Sequence, residues 1–147
     1  METKEKHHIL LVDDEESVRF TLDRYLTDAG YEVNTASGLS EAYTNLRNKR
    51  FDVAIIDRML THGETGMDLV HYIRKKKPFC KTIMISAYPT FESEKEAEYF
   101  GAFIYLVKPV RKTAVLSAVA AAGASAWKNE STDRSELLPL AVYTPSE

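Results

Sequence analysis

Short apolar runs alternate along the chain with longer segments whose apolar positions recur at helical spacing, and the alternation repeats five times. The first run is His8-Ile9-Leu10-Leu11-Val12. From about Ser17 a helical pattern follows, with Val18, Leu22, Tyr25, Leu26 and Ala29 on one face and Gly30 as its C-terminal cap. A strand over residues 31–35 leads to a second helix that carries Leu39, Ala42, Tyr43 and Leu46. The third run, Val53-Ala54-Ile55-Ile56, is closed by Asp57. After the loop of residues 61–66, a helix with Leu69, Val70 and Ile73 is stopped by Pro78. A strand over 82–86 precedes an acidic helix that starts near Pro89 and ends at Gly101. The fifth run, Phe103-Ile104-Tyr105-Leu106-Val107, is closed by Lys108-Pro109, and an Ala-rich helix spans roughly residues 111–127.

Five strand-then-helix units in succession imply a parallel sheet covered on both faces, because each crossover is right-handed and packs its helix back onto the sheet. The expected fold is a doubly wound α/β domain. Strands buried on both faces read as unbroken apolar runs, as the third does and the second does not, so the second belongs nearer an edge. The 147 residues, 44% of them apolar, supply one core and are too few for two ordinary domains.

Charge and cysteine usage narrow the function classes. A formal net charge of -3 argues against a nucleic-acid surface, which needs clustered Lys and Arg. The runs Arg74-Lys75-Lys76-Lys77 and Arg47-Asn48-Lys49-Arg50 read as solvated helix ends favoured by the helix dipole. A single cysteine, Cys80, excludes an internal disulfide framework and fits a reducing compartment. The first six residues are too polar for a signal peptide, and no apolar run approaches the ~20 residues that span a bilayer. A cytoplasmic protein without membrane or direct nucleic-acid contact is the expectation.

The chemistry lies where the runs end. Asp13 and Asp14 follow the first, Asp57 the third and Lys108 the fifth, so all four can share one sheet edge. In open α/β sheets ligands bind in the crevice outside the carboxyl ends of the strands. Three carboxylates and an ammonium there suit a divalent cation and a phosphoryl group. A competing reading makes Asp13 and Asp14 only the entry cap of the first helix, which leaves Asp57 and Lys108 unexplained.

With Ser86-Ala87 after the fourth strand, these motifs resemble the receiver domain of two-component response regulators, of CheY-like type, over about residues 6–127. The resemblance implies a flavodoxin-like five-stranded parallel sheet in the order 2-1-3-4-5, with helices on both faces. It makes Asp57 the phosphoacceptor, and Asp13, Asp14 and the backbone carbonyl of Met59 the partners of Asp57 in holding Mg²⁺. Lys108 pairs with the phosphoryl group and Ser86 donates its hydroxyl to it. Tyr105 is the aromatic that turns inward after phosphorylation, which makes the fourth helix, fifth strand and fifth helix the switch surface. Pro109 is expected to follow a cis bond.

The resemblance further implies a sensor histidine kinase or phosphotransfer protein as donor, an unidentified output partner, and a chain that catalyses only its own phosphorylation and dephosphorylation. Weak homodimerisation through the switch surface is a further expectation, with Ala118, Ala121 and Ala122 permitting close approach. Relatives carry a proline soon after the phosphoacceptor and then a glycine; here Thr61 stands near the first and Gly66 comes one residue late, which leaves the loop shape open. Met59 and Tyr88 are expected to shield an aspartyl-phosphate from water. His62 in that loop could contact a kinase or an accessory metal, although an exposed loop histidine is more often neither, and His7 and His8 point to opposite faces of a strand start.

Two other readings stand beside this one. The chain could be a receiver piece of a larger regulator or hybrid kinase. A small Mg²⁺-dependent aspartyl-phosphate phosphatase would need an acid/base two residues beyond Asp57, where Met59 stands. Residues 128–147 read as a polar linker or tail, with Leu137-Leu138-Pro139-Leu140-Ala141-Val142-Tyr143 apolar again and its destination open.

Overall fold

The computed structural model describes residues 7–128 and 141–143. Its elements alternate as β1 (His8–Val12), α1 (Glu16–Asp28), β2 (Glu32–Ala36), α2 (Leu39–Asn48), β3 (Val53–Asp57), a 3-10 turn (Thr61–Gly63), α3 (Gly66–Lys76), β4 (Lys81–Ser86), α4 (Phe91–Phe100), β5 (Ile104–Val107) and α5 (Lys112–Lys128). A short strand, β6 (Ala141–Tyr143), follows. All ladders between strands are parallel, and the sheet order is β2-β1-β3-β4-β5-β6. The expected 2-1-3-4-5 order is present, β2 lies at an edge, and β6 extends the sheet beyond β5. Most of the expected linker, 129–140 and 144–147, lies outside the described residues.

Strand periodicity explains how one sheet serves two cores, because successive side chains point to opposite faces. Leu10, Val12, Ala54, Ile56, Met84 and Tyr105 meet α2, α3 and α4 on one face. Ile9, Leu11, Val53, Ile55, Ile83, Ile85, Ile104 and Leu106 meet α1 and α5 on the other. All five residues of β3 are buried, which matches its unbroken apolar run. Ala118 and Ala122 are fully buried in the second core, where their small size serves packing against the sheet.

Helix ends follow local chemistry. Gly30 and Gly101 take positive φ, 99° and 107°, where an L side chain is strained. Pro89 stands just outside α4, whose N-cap is Thr90: its side chain accepts from Ser93 N at 3.0 Å while Ser93 Oγ accepts from Thr90 N at 2.8 Å. That reciprocal box fixes the start of the helix. The Lys108–Pro109 peptide is cis.

Candidate functional site

The carboxyl ends of β1, β3 and β5 bring Asp13, Asp57 and Lys108 into contact. Lys108 Nζ lies 3.0 Å from Asp13 Oδ2 and 3.0 Å from Asp57 Oδ2. Asp13 is fully buried and Asp57 nearly so. Asp14 is more open, and carboxylate oxygens of all three acids lie within 4.8 Å of one another.

Each acid divides its oxygens between structure and site. Asp13 Oδ1 accepts from Glu15 N at 2.9 Å, so the helix-entry reading holds for one oxygen only. Its Oδ2 is buried, accepts no well-directed hydrogen bond, and meets the Lys108 ammonium as an ion pair. Asp57 Oδ1 accepts from Met59 N at 3.2 Å, and Oδ2 accepts from Lys108.

Burial takes the Asp57 charge out of water and pushes its carboxyl up to about 6; the Lys108 hydrogen bond pulls it down and Asp13 repulsion adds to the rise. Burial alone would lower the Lys108 ammonium, yet its close contacts with the Asp13 and Asp57 carboxylates more than offset this and raise it. Three carboxylates face one ammonium, so two negative charges stay uncompensated when all are ionised. Hard oxygen donors with that imbalance fit a small divalent cation such as Mg²⁺.

Ser86 ends β4 between the strands that carry Asp57 and Lys108, and is almost completely buried. Its Oγ accepts from Tyr88 N at 3.2 Å, which leaves the hydroxyl proton available to another acceptor. An open groove of about 400 Å³, lined among others by Val18, Thr21, Leu22, Ala87 and Pro109, leads to Lys108.

The loop after Asp57 closes in a tight turn. His62 and Gly63 both take positive φ, 62° and 73°, and Leu60 N donates to Glu64 O at 3.0 Å. Met59 and Thr65 form an antiparallel bridge, and Gly66 N donates to Arg58 O at 2.8 Å. Glu64 Oε1 accepts from Leu39 N at 3.2 Å and so serves the α2 N-terminus, where Gly38 has no side chain to do so. Glu64→Ala should lower stability by about 0.5–1 kcal/mol, read as a thermal melt beside the wild type.

The burial of three residues bears on what was expected of them. Tyr105 lies inside, 0% exposed, with its hydroxyl 3.1 Å from Ser93 Oγ. Ser93 Oγ also donates to Thr90 O, so Tyr105 is left as the donor of their shared bond. Met59 and Tyr88 are 58% and 84% exposed and do not pack as a shield. Tyr88→Ala should therefore change aspartyl-phosphate decay by less than about tenfold, measured as loss of the phosphoryl mass over time.

His7 and His8 face different acids, Asp52 at 3.6 Å and Glu32 at 2.9 Å, and the three-acid cluster contains no histidine. Burial pushes the Cys80 thiol up to about 12, so it is not a thiolate near neutral pH. Sequence reasoning missed the Thr90–Ser93 box and Glu64. The first had a readable signal in Thr-Phe-Glu-Ser; the second spans 25 residues and had none.

A doubly wound sheet with two acids after β1, a third acid closing β3 and a lysine after β5 defines the class. The family model for the response regulator receiver domain matches residues 9–120, and the chain belongs to that family. It is 35% identical over 108 residues to the alginate biosynthesis transcriptional regulatory protein AlgB of Pseudomonas aeruginosa, covering 73% of this chain and 24% of that one. The chain thus spans about a quarter of the length of such relatives. A CheY-like receiver domain protein from Methanospirillum hungatei superposes with a TM-score of 0.80 at 27% identity, covering 84% of this chain and 98% of that one. A response regulator from Burkholderia pseudomallei, solved with a phosphorylated aspartic acid and a calcium ion, gives 0.74 at 25% identity over 86% of this chain and 74% of that one.

Proposed function

We propose that the chain is a phosphorylation-dependent binding switch: Asp57 takes a phosphoryl group from a histidine kinase or phosphotransfer protein, and partner binding changes as a result. The observation that carries this reading is Asp57 buried beside Asp13 with Lys108 Nζ 3.0 Å from each. A carboxylate held ready at a strand end is the nucleophile, and the phosphorus–nitrogen bond to the donor's histidine breaks as the phosphorus–oxygen bond to Asp57 forms. Catalysis of such transfer is mainly positioning and relief of charge on the equatorial oxygens. Lys108 supplies one positive charge and Ser86 one hydroxyl proton.

Asp13, Asp14, Asp57 and the Met59 carbonyl would hold Mg²⁺, which supplies the remaining charge neutralisation when bound. The Burkholderia protein's phosphorylated aspartate and calcium ion support the same chemistry here. The groove between α1 and Pro109 gives a donor access to Lys108. The chain acts catalytically on itself alone, since no acid or base stands two residues beyond Asp57. Output passes through α4, β5 and α5 to a partner that, given AlgB's name as a transcriptional regulator, belongs to control of transcription in a longer protein.

Metal dependence tests the reading. Acetyl phosphate should label the protein when Mg²⁺ is present and not after chelation, and Asp14→Ala should raise the Mg²⁺ concentration needed by at least about tenfold. Equal labelling in chelator would contradict the assignment of the acid cluster.

A further inference from the structure

The edge of β5 is covered by this chain's own C-terminal segment. Ala141, Val142 and Tyr143 pair in parallel with Ile104, Tyr105 and Leu106. An uncovered edge strand presents a row of unpaired N–H and C=O groups that template another strand. We infer that the β5 edge is a strand-addition surface whose occupant is this chain's own Ala141–Tyr143, and that phosphorylation of Asp57 releases this occupant. The release step rests on the switch reading above; the occupancy does not.

Two features make the cover removable. The ladder has three register pairs, so the hydrogen bonds gained on docking are few while each ordered residue costs conformational entropy. The twelve intervening residues, 129–140, read in the sequence as Asn-Glu-Ser-Thr-Asp-Arg-Ser-Glu-Leu-Leu-Pro-Leu, mostly polar at their start. A connection of that length can keep the released segment near its site at high effective concentration, so closure is reversible.

The register places the ladder across the residues that respond at the site. Tyr105 pairs with Val142, and β5 runs straight into Lys108, whose Nζ holds Asp57 and Asp13. On its other side β5 has four pairs with β4, and Lys108 N donates to Ser86 O at 2.9 Å. A phosphoryl group on Asp57 draws both Lys108 and Ser86 toward its oxygens, so β4 and β5 respond together. Among the described residues the ladder to β6 ends at Leu106, short of Lys108, and is the one to break.

Hydrogen–deuterium exchange on the full chain tests both parts. The proteins are wild type, Val142→Pro and Tyr143→Pro, each with Mg²⁺ and with or without beryllofluoride as the phosphoryl mimic. Successive residues of a strand point their N–H groups to opposite sides, so one of the two prolines removes a donor facing β5. Amides of Ile104–Val107 should exchange at least about tenfold faster in that variant than in the wild type, with β1 and β3 unchanged. Beryllofluoride should speed the same amides in the wild type and add nothing in the variant. Equal β5 protection in all three proteins overturns the occupancy. Slowed exchange in the loop after Asp57 with no change at β5 overturns release while leaving the switch reading intact. No response at either place overturns release together with that reading.

Discussion

Gly66→Ala should be among the most damaging single substitutions in the domain, lowering stability by about 3 kcal/mol and disturbing the phosphoacceptor itself. A Cβ at this position would meet the Asp57 carbonyl oxygen at 2.2 Å and Ile56 Cγ2 at 2.6 Å. The first partner is backbone of a buried strand and cannot move aside as a flexible side chain can. Forcing one methyl into a packed site costs about 1–3 kcal/mol, and a clash against backbone belongs at the upper end. The first turn of α3 must therefore shift away from β3, which strains the Gly66 N to Arg58 O bond that closes the loop. Denaturant melts should show the lost stability, and labelling by acetyl phosphate should fall with it. A melt within about 0.5 kcal/mol of the wild type would show that the loop yields more readily than its contacts indicate.

The second large effect is a gain. Asp57→Asn should stabilise the metal-free protein above neutral pH by about 1–3 kcal/mol and give little at pH 4. The Asp57 carboxyl sits at about 6 when folded, against an ordinary value of 3.8, chiefly because burial penalises the charge. The folded state then holds a proton that the unfolded state has released between those two values. The group's favourable contribution is complete below about 3.8 and is lost as pH rises through about 6. A shift of about two units corresponds to roughly 3 kcal/mol, reduced in the variant by the lost ion pair with Lys108. Asp13 still holds Lys108 at 3.0 Å, so the ammonium is not stranded. Thermal melts of both proteins across pH 4–8 in chelator measure the difference. Identical pH profiles would show that the buried charge is compensated in another way.

Much of this was legible in the chain because the informative features are local. An unbroken apolar run marks a strand buried on both faces, and a polar residue at its end marks the crevice. Asp57, Lys108 and the acid pair needed no more than that, and their convergence follows from parallel topology. Gly30, Pro78 and Gly101 ended their helices for reasons of backbone conformation alone.

What the sequence withheld depends on pairs distant along the chain. Tyr105 reads as an aromatic in a strand; its position is decided by Ser93, twelve residues earlier, whose hydroxyl is fixed by the α4 cap. Met59 and Tyr88 read as apolar or bulky neighbours of the site, yet the turn at His62–Gly63 and the hydrogen bond from Tyr88 N to Ser86 leave both side chains exposed. The alanines of α5 had two faces open to them, and only the packing against β3, β4 and β5 chose the inner one for Ala118 and Ala122. β6 could not be foreseen, because three residues carry too little periodicity to show a partner.

The central claim is that Asp57 is the group that takes the phosphoryl. Intact-mass measurement after incubation with acetyl phosphate and Mg²⁺ tests it most directly, comparing wild type with Asp57→Asn, whose folding is checked by its melt. The expected result is one added phosphoryl mass on the wild type, labile to mild base as an acyl phosphate, and none on the variant. A labile phosphoryl mass on folded Asp57→Asn, or its absence from a folded, Mg²⁺-bound wild type, would contradict it.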